Sequence, residues 1–103
     1  MTNRNYRRGY EIERKIVNEF RTQGYWAYRS AGSHSKVDVT VIKPNGEILL
    51  LQVKRMKQPG AKYDSEIKEM TDYQINAPNV SKQLWIYKDY EKKANRWQKI
   101  IIP

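Results

Sequence analysis

Apolar residues recur early in the chain at Ile12, Ile16, Val17 and Phe20, the spacing of a single buried helical stripe. A helix is expected from about Tyr10 to Gln23, ended by Gly24 in a left-handed cap. The pattern then shortens to strand period. Tyr25 to Ser30 reads as one strand, Val37 to Lys43 as a second and Glu47 to Lys54 as a third, with the small-residue loop Ala31-Gly32-Ser33-His34-Ser35 after the first. Farther on, Ser65 is placed to cap a helix of about Glu66 to Ile75, which Asn76-Ala77-Pro78 ends. Two more strands are expected near Gln83–Lys88 and Arg96–Ile102, and the intervening Tyr90-Glu91-Lys92-Lys93 reads as a solvated connection.

Two features of this pattern carry chemistry. At about 100° per residue, Ile16 lies about 40°, Phe20 about 80° and Val17 about 140° from Ile12, and Glu13 falls among them at about 100°. Glu11 falls on the far side and Glu19 at the edge of the stripe. An inward carboxylate must meet a cation or several donors, so Glu13 is either half of an internal salt bridge to an arginine or a member of a functional site. The second feature is Pro44-Asn45-Gly46, which suits a three-residue hairpin with Gly46 left-handed. Lys43 then faces Glu47, and counting outward in pairs sets Asp38 opposite Gln52. Lys54, two residues beyond Gln52, shares that face.

Oxygen ligands on adjacent strands suit a hard cation such as Mg²⁺ or Mn²⁺, with the backbone carbonyl of Val53 as a further donor. A neighbouring ammonium, Lys54, can orient water or offset charge at a phosphoryl centre, although a long side chain at a strand end can also reach out to solvent.

Composition narrows the partner. Twenty Lys and Arg against eleven Asp and Glu leave a net charge of +9 on 103 residues, a field that attracts polyanions, nucleic acid first among them. Residues 1–8 form a basic arm ahead of the first helix. A chain this short is expected to fold as one domain over residues 1–103. It holds no cysteine, which removes disulfides, thiolate metal sites and cysteine nucleophiles. Neither a signal peptide nor a membrane span is read from the sequence, and a cytoplasmic location is expected.

The run Gly9-Tyr10-Glu11-Ile12-Glu13-Arg14, then Tyr28-Arg29-Ser30-Ala31-Gly32-Ser33, Val37-Asp38 and Gln52-Val53-Lys54-Arg55 resembles the PD-(D/E)XK nucleases, and within them the archaeal Holliday junction resolvases and their viral relatives. The resemblance covers about half the chain. It implies an α/β fold with a restriction-endonuclease-like mixed central sheet flanked by helices, a homodimer, and Mg²⁺- or Mn²⁺-dependent incision of branched DNA. Carried over by position, Glu13, Asp38 and Gln52 surround the metal, Lys54 is the catalytic lysine, and Arg14, Arg29, Ser30 and Ser33 sit near the scissile phosphate.

Within that fold Arg7, Arg8, Arg55 and Lys57 extend a phosphate-binding track. His34, in the Gly/Ser loop, is either incidental or one more phosphate contact. Where the family carries an acidic residue before the lysine, this chain has Gln52, whose amide oxygen ligates without charge. An active variant, a different metal preference and a site that only binds DNA are all compatible with that change. So are related substrates such as nicked, flapped or modified duplex. The three tryptophans, Trp26, Trp85 and Trp97, are expected in the core or at a dimer contact rather than as base-stacking platforms.

Overall fold

In a computed structural model, residues 4–30 and 36–103 are described, with the side chains of residues 4–9 excepted. The elements are α1 (Arg4–Thr22), β1 (Trp26–Arg29), β2 (Val39–Ile42), β3 (Ile48–Met56), α2 (Asp64–Asp72), β4 (Val80–Lys88) and β5 (Trp97–Ile102), with a 3₁₀ turn at Lys93–Asn95. The five strands lie in the sheet in chain order. β3 and β4 run parallel and every other pair antiparallel. α2 lies in the crossover between the two parallel strands, which a two-residue turn cannot join.

α1 lays Ile12, Ile16 and Val17 on one sheet face, against Ala27, Val39, Val41, Leu49, Leu51, Val53 and Trp85. Such burial contributes about 1.5–3 kcal/mol per large aliphatic side chain. α2 covers part of the opposite face, where Met70 meets Met56, Leu84, Ile86 and Ile102. Successive strand residues point to opposite faces, so β3 serves both cores along a single strand.

The hairpin forms as its turn chemistry predicts. Gly46 sits at φ 91°, Lys43 and Glu47 are joined by the backbone bond Lys43 N to Glu47 O at 2.8 Å, and the ladder runs from Ile42↔Ile48 to Val39↔Leu51.

Several boundaries move. α1 begins at Arg4 rather than near Tyr10, so residues 4–8 of the expected arm are helical; arginine is a good helix former, and Gly9 inside a helix costs only about 1 kcal/mol. α2 starts earlier and ends earlier than expected. Tyr63 occupies the N-cap with no side-chain cap bond, and Ser65 instead donates to Glu66 inside the first turn. The helix stops at Asp72, where the buried Lys82 ammonium on β4 donates to the carbonyls of Met70 (2.7 Å) and Tyr73 (2.8 Å). That tertiary cap supplies the partners that helix-end carbonyls otherwise lack.

Candidate metal and DNA site

The ladder between β2 and β3 stops one residue short of Asp38, and this break builds the site. In a regular antiparallel strand both backbone groups of a residue point to the same neighbour. Asp38 divides its own: its carbonyl accepts from Ser30 N on the β1 side (2.9 Å), while its N–H donates to Leu51 O on β3 (2.8 Å). The expected pairing of Asp38 with Gln52 is therefore not formed. The Asp38 carboxylate instead swings across to β3, where Oδ2 accepts the Val53 N–H at 2.8 Å. A strand residue turns its N–H and C=O the same way, so the Val53 carbonyl also faces the opening left where β2 ends.

Glu13 reaches this opening from α1. Its Oε1 accepts Arg29 Nε at 3.0 Å, and the guanidinium in turn lies 3.9 Å from the Tyr10 ring centroid. The salt-bridge alternative for Glu13 is thus realised, and it does not remove the carboxylate from the cluster. Burial raises the Glu13 pKa, the Asp38 charge raises it further, and Arg29 and Lys54 pull it down. Burial likewise raises Asp38, against the Val53 hydrogen bond and the charges of Lys54 and Arg29. Two carboxylates, one ammonium and one guanidinium therefore act on one another in a small, partly desolvated space.

Gln52 lies on the same strand as Lys54, two residues before it. It is buried on β3 beside Leu84, and its Oε1 has no hydrogen-bond partner. A buried amide oxygen without a donor is costly, and a cation is one partner that would satisfy it. Among the described residues no three His, Cys, Asp or Glu side chains converge. Glu13, Asp38, Gln52 and the Val53 carbonyl would offer oxygen atoms alone, a chemistry that fits a hard divalent cation rather than a soft metal.

The other expected contacts divide. Arg14 is exposed and, with Tyr10, Arg21 and Arg29, lines a surface depression of about 350 Å³ between α1 and β1. Lys57 is exposed just past the end of β3. Ser30 is committed to the scaffold, its hydroxyl donating to Val37 O and bracing the ends of the 31–36 connection. Arg55 turns to Asp89, with Nε at 2.9 and 2.7 Å from the two carboxylate oxygens. Ser33, His34 and the side chains of Arg7 and Arg8 lie outside the described residues.

Three residues near this region were not anticipated. Arg21 donates from Nε to Ala27 O at 3.0 Å. Trp26 and Tyr28 are 64% and 48% exposed, which takes Trp26 out of the core and leaves the dimer contact as the other placement expected for tryptophan, whereas Trp85 is buried and Trp97 packs against the core. The signal was present in Trp26-Ala27-Tyr28-Arg29: in a strand with one buried position the small alanine is inside, so its aromatic neighbours must face out.

A family model described as archaeal Holliday junction resolvase (Hjc) matches residues 4–98. Among solved structures, the chain is similar to the Archaeoglobus fulgidus Hjc, a Holliday junction resolvase from an archaeal hyperthermophile, with a TM-score of 0.65 and 17% identity over 91% of this chain and 72% of that one. No curated protein matches.

Proposed function

The chain belongs to the archaeal Holliday junction resolvase family and is a junction-resolving endonuclease; from that premise we propose that Glu13, Asp38, Gln52 and the Val53 carbonyl hold a divalent cation, Mg²⁺ or Mn²⁺, with Lys54 as the catalytic lysine. The observation that carries the proposal is the buried, unpartnered Oε1 of Gln52 on the strand whose next residue is tied to Asp38.

The bound cation would supply Lewis-acid polarisation of a phosphoryl oxygen. The chain's own residues supply the rest. The Val53 N–H holds the Asp38 carboxylate in one orientation, so that ligand is set before substrate arrives. Arg29 holds Glu13 in the same way from β1. In this reading the Lys54 ammonium, whose charge acts on both Glu13 and Asp38, orients a water and offsets charge building on the phosphate. Arg14 and Arg29 border a depression that fits a flanking phosphate of the cleaved strand.

A four-way junction carries paired cuts on opposing strands, and a homodimer would present two such centres related by a twofold axis. A monomer in sedimentation at working concentration would overturn that part alone. The central test is a cleavage panel: synthetic four-way junction, flap, nicked and linear duplex, each with Mg²⁺, Mn²⁺ or chelator. Junction cleavage that needs the metal and vanishes in Asp38→Ala and Lys54→Ala supports the assignment. Wild-type cleavage in either variant sinks it. DNA binding without cleavage in any metal would instead favour the reading that neutral Gln52 marks a site that only binds DNA.

A further inference from the structure

Among the described residues, no element packs on the face of β1 turned away from α1. Trp26 and Tyr28 stand on it, exposed, with ring centroids 6.0 Å apart and planes at 56°. Across the open edge of β1, Arg21 places its guanidinium 5.6 Å from the Tyr28 ring while its Nε holds the Ala27 carbonyl. Arg21 thereby belongs to two depressions. One, of about 400 Å³, is lined by Arg21, Gly24, Tyr25, Trp26, Ala27 and Tyr28. The other is the Arg14 and Arg29 depression beside the proposed metal site. No acidic side chain lines either among the described residues.

We propose that the Trp26–Tyr28 face is a subsite for unpaired nucleotides, in which Trp26 stacks on a base and Arg21 meets the phosphate that links it to the strand passing Arg14 and Arg29. The geometry decides the mode. A base sandwiched between two rings at van der Waals contact needs them parallel and about 7 Å apart, so the tilted pair instead offers outer faces.

Those faces suit a base that has left its stack, since in a duplex both faces of each base are covered by neighbours. Charge decides the partner. The net charge of +9 and three arginines along the edge fit a polyanion. Addition of a strand from a second copy is disfavoured where Arg21 already occupies the Ala27 carbonyl on the sheet edge.

The inference takes DNA as the polymer from the proposed function and does not depend on the metal site. It is tested in chelator, by fluorescence anisotropy of labelled oligothymidylate and of a duplex of equal length at one fixed salt concentration. The variants are Trp26→Ala/Tyr28→Ala and Trp26→Phe.

The double variant should weaken oligothymidylate binding by about five- to a hundredfold. Trp26→Phe should stay near wild type, and duplex binding by both variants should hold. Unchanged oligothymidylate affinity in the double variant overturns the proposal, as does an equal loss on duplex. So does a wild-type dimer in sedimentation that the double variant dissolves with oligothymidylate binding intact, which would assign the face to a second copy. Because binding is read without cleavage, an inactive wild type would refute the catalytic assignment and leave this result standing.

Discussion

Arg29 Nε donates to Glu13 Oε1 at 3.0 Å, joining β1 to α1 by a half-buried ion pair at the edge of the proposed metal site. Removing the cation alone leaves the carboxylate desolvated beside Asp38. Arg29→Met should therefore lower stability by about 1.5–3 kcal/mol, and Glu13→Gln in the same chain should restore part of it. Urea melts of the two single variants and the double variant measure this coupling; additive losses would mean the pair contributes nothing.

Asp38 has two tasks, accepting the Val53 N–H and offering a charge to the cation, and two substitutions separate them. Asp38→Asn can keep the first and loses the second, whereas Asp38→Ala loses both. Junction cleavage should fall by about a hundred- to a thousandfold in each, but only Asp38→Ala should also release the amide. Hydrogen exchange at Val53 distinguishes them.

With Gln52 neutral, Glu13 and Asp38 are the carboxylates left to balance the proposed ion among the described residues, and Arg29 and Lys54 act on both of them. Gln52→Glu should tighten Mn²⁺ binding to the DNA-free protein on the order of tenfold, since affinity at oxygen sites follows ligand charge. In chelator the same variant should melt lower, because a third desolvated carboxylate joins two others. Calorimetric titration showing no gain would remove Gln52 from the ligand set.

Burial raises both site carboxyls above their ordinary values, with the Asp38 charge adding to the rise at Glu13. A carboxyl whose folded pKa exceeds its unfolded one holds its proton more tightly in the folded chain. Its contribution to stability is therefore full below the unfolded pKa and lost as pH rises through the folded pKa. In chelator, Asp38→Asn should melt above wild type at about pH 7, and the gap should close towards about pH 4 as wild-type Asp38 takes up its proton. A gap that widens on acidification would contradict the sign. Adding Mn²⁺ at neutral pH should raise the wild-type melting temperature and leave that of Asp38→Asn nearly unmoved.

The buried Lys82 ammonium holds the last turn of α2 through Met70 O and Tyr73 O. Lys82→Met strands both carbonyls and should lower stability by about 1–3 kcal/mol, a fall in melting temperature of several degrees for a domain of this size. Thermal unfolding by circular dichroism is the measurement, and an unchanged midpoint would show that water replaces the cap.

Local chemistry made much of the architecture legible in the sequence. The Ile12, Ile16, Val17 and Phe20 stripe located the core face of α1 and turned Glu13 inward. Pro44-Asn45-Gly46 set the register of β2 against β3, because a turn needing one left-handed residue has few ways to close. Lys54, two residues past Gln52, needed only the strand period. These features depend on neighbours in the chain, so the chain alone determines them.

The tertiary structure decided whatever depends on groups that meet across the fold. Whether Glu13 pairs with an arginine, and with which, depends on where β1 lies against α1. Asp38 leaves the ladder because its amide finds Leu51 and its carboxylate finds Val53, a competition that pairwise counting from the turn does not contain. Ser30 and Arg55 found partners in Val37 and Asp89, while Trp26 stayed outside because none of the described residues forms a second layer over its end of the sheet. Each outcome is set by desolvation and by competition for donors in three dimensions, which periodicity along one strand does not encode.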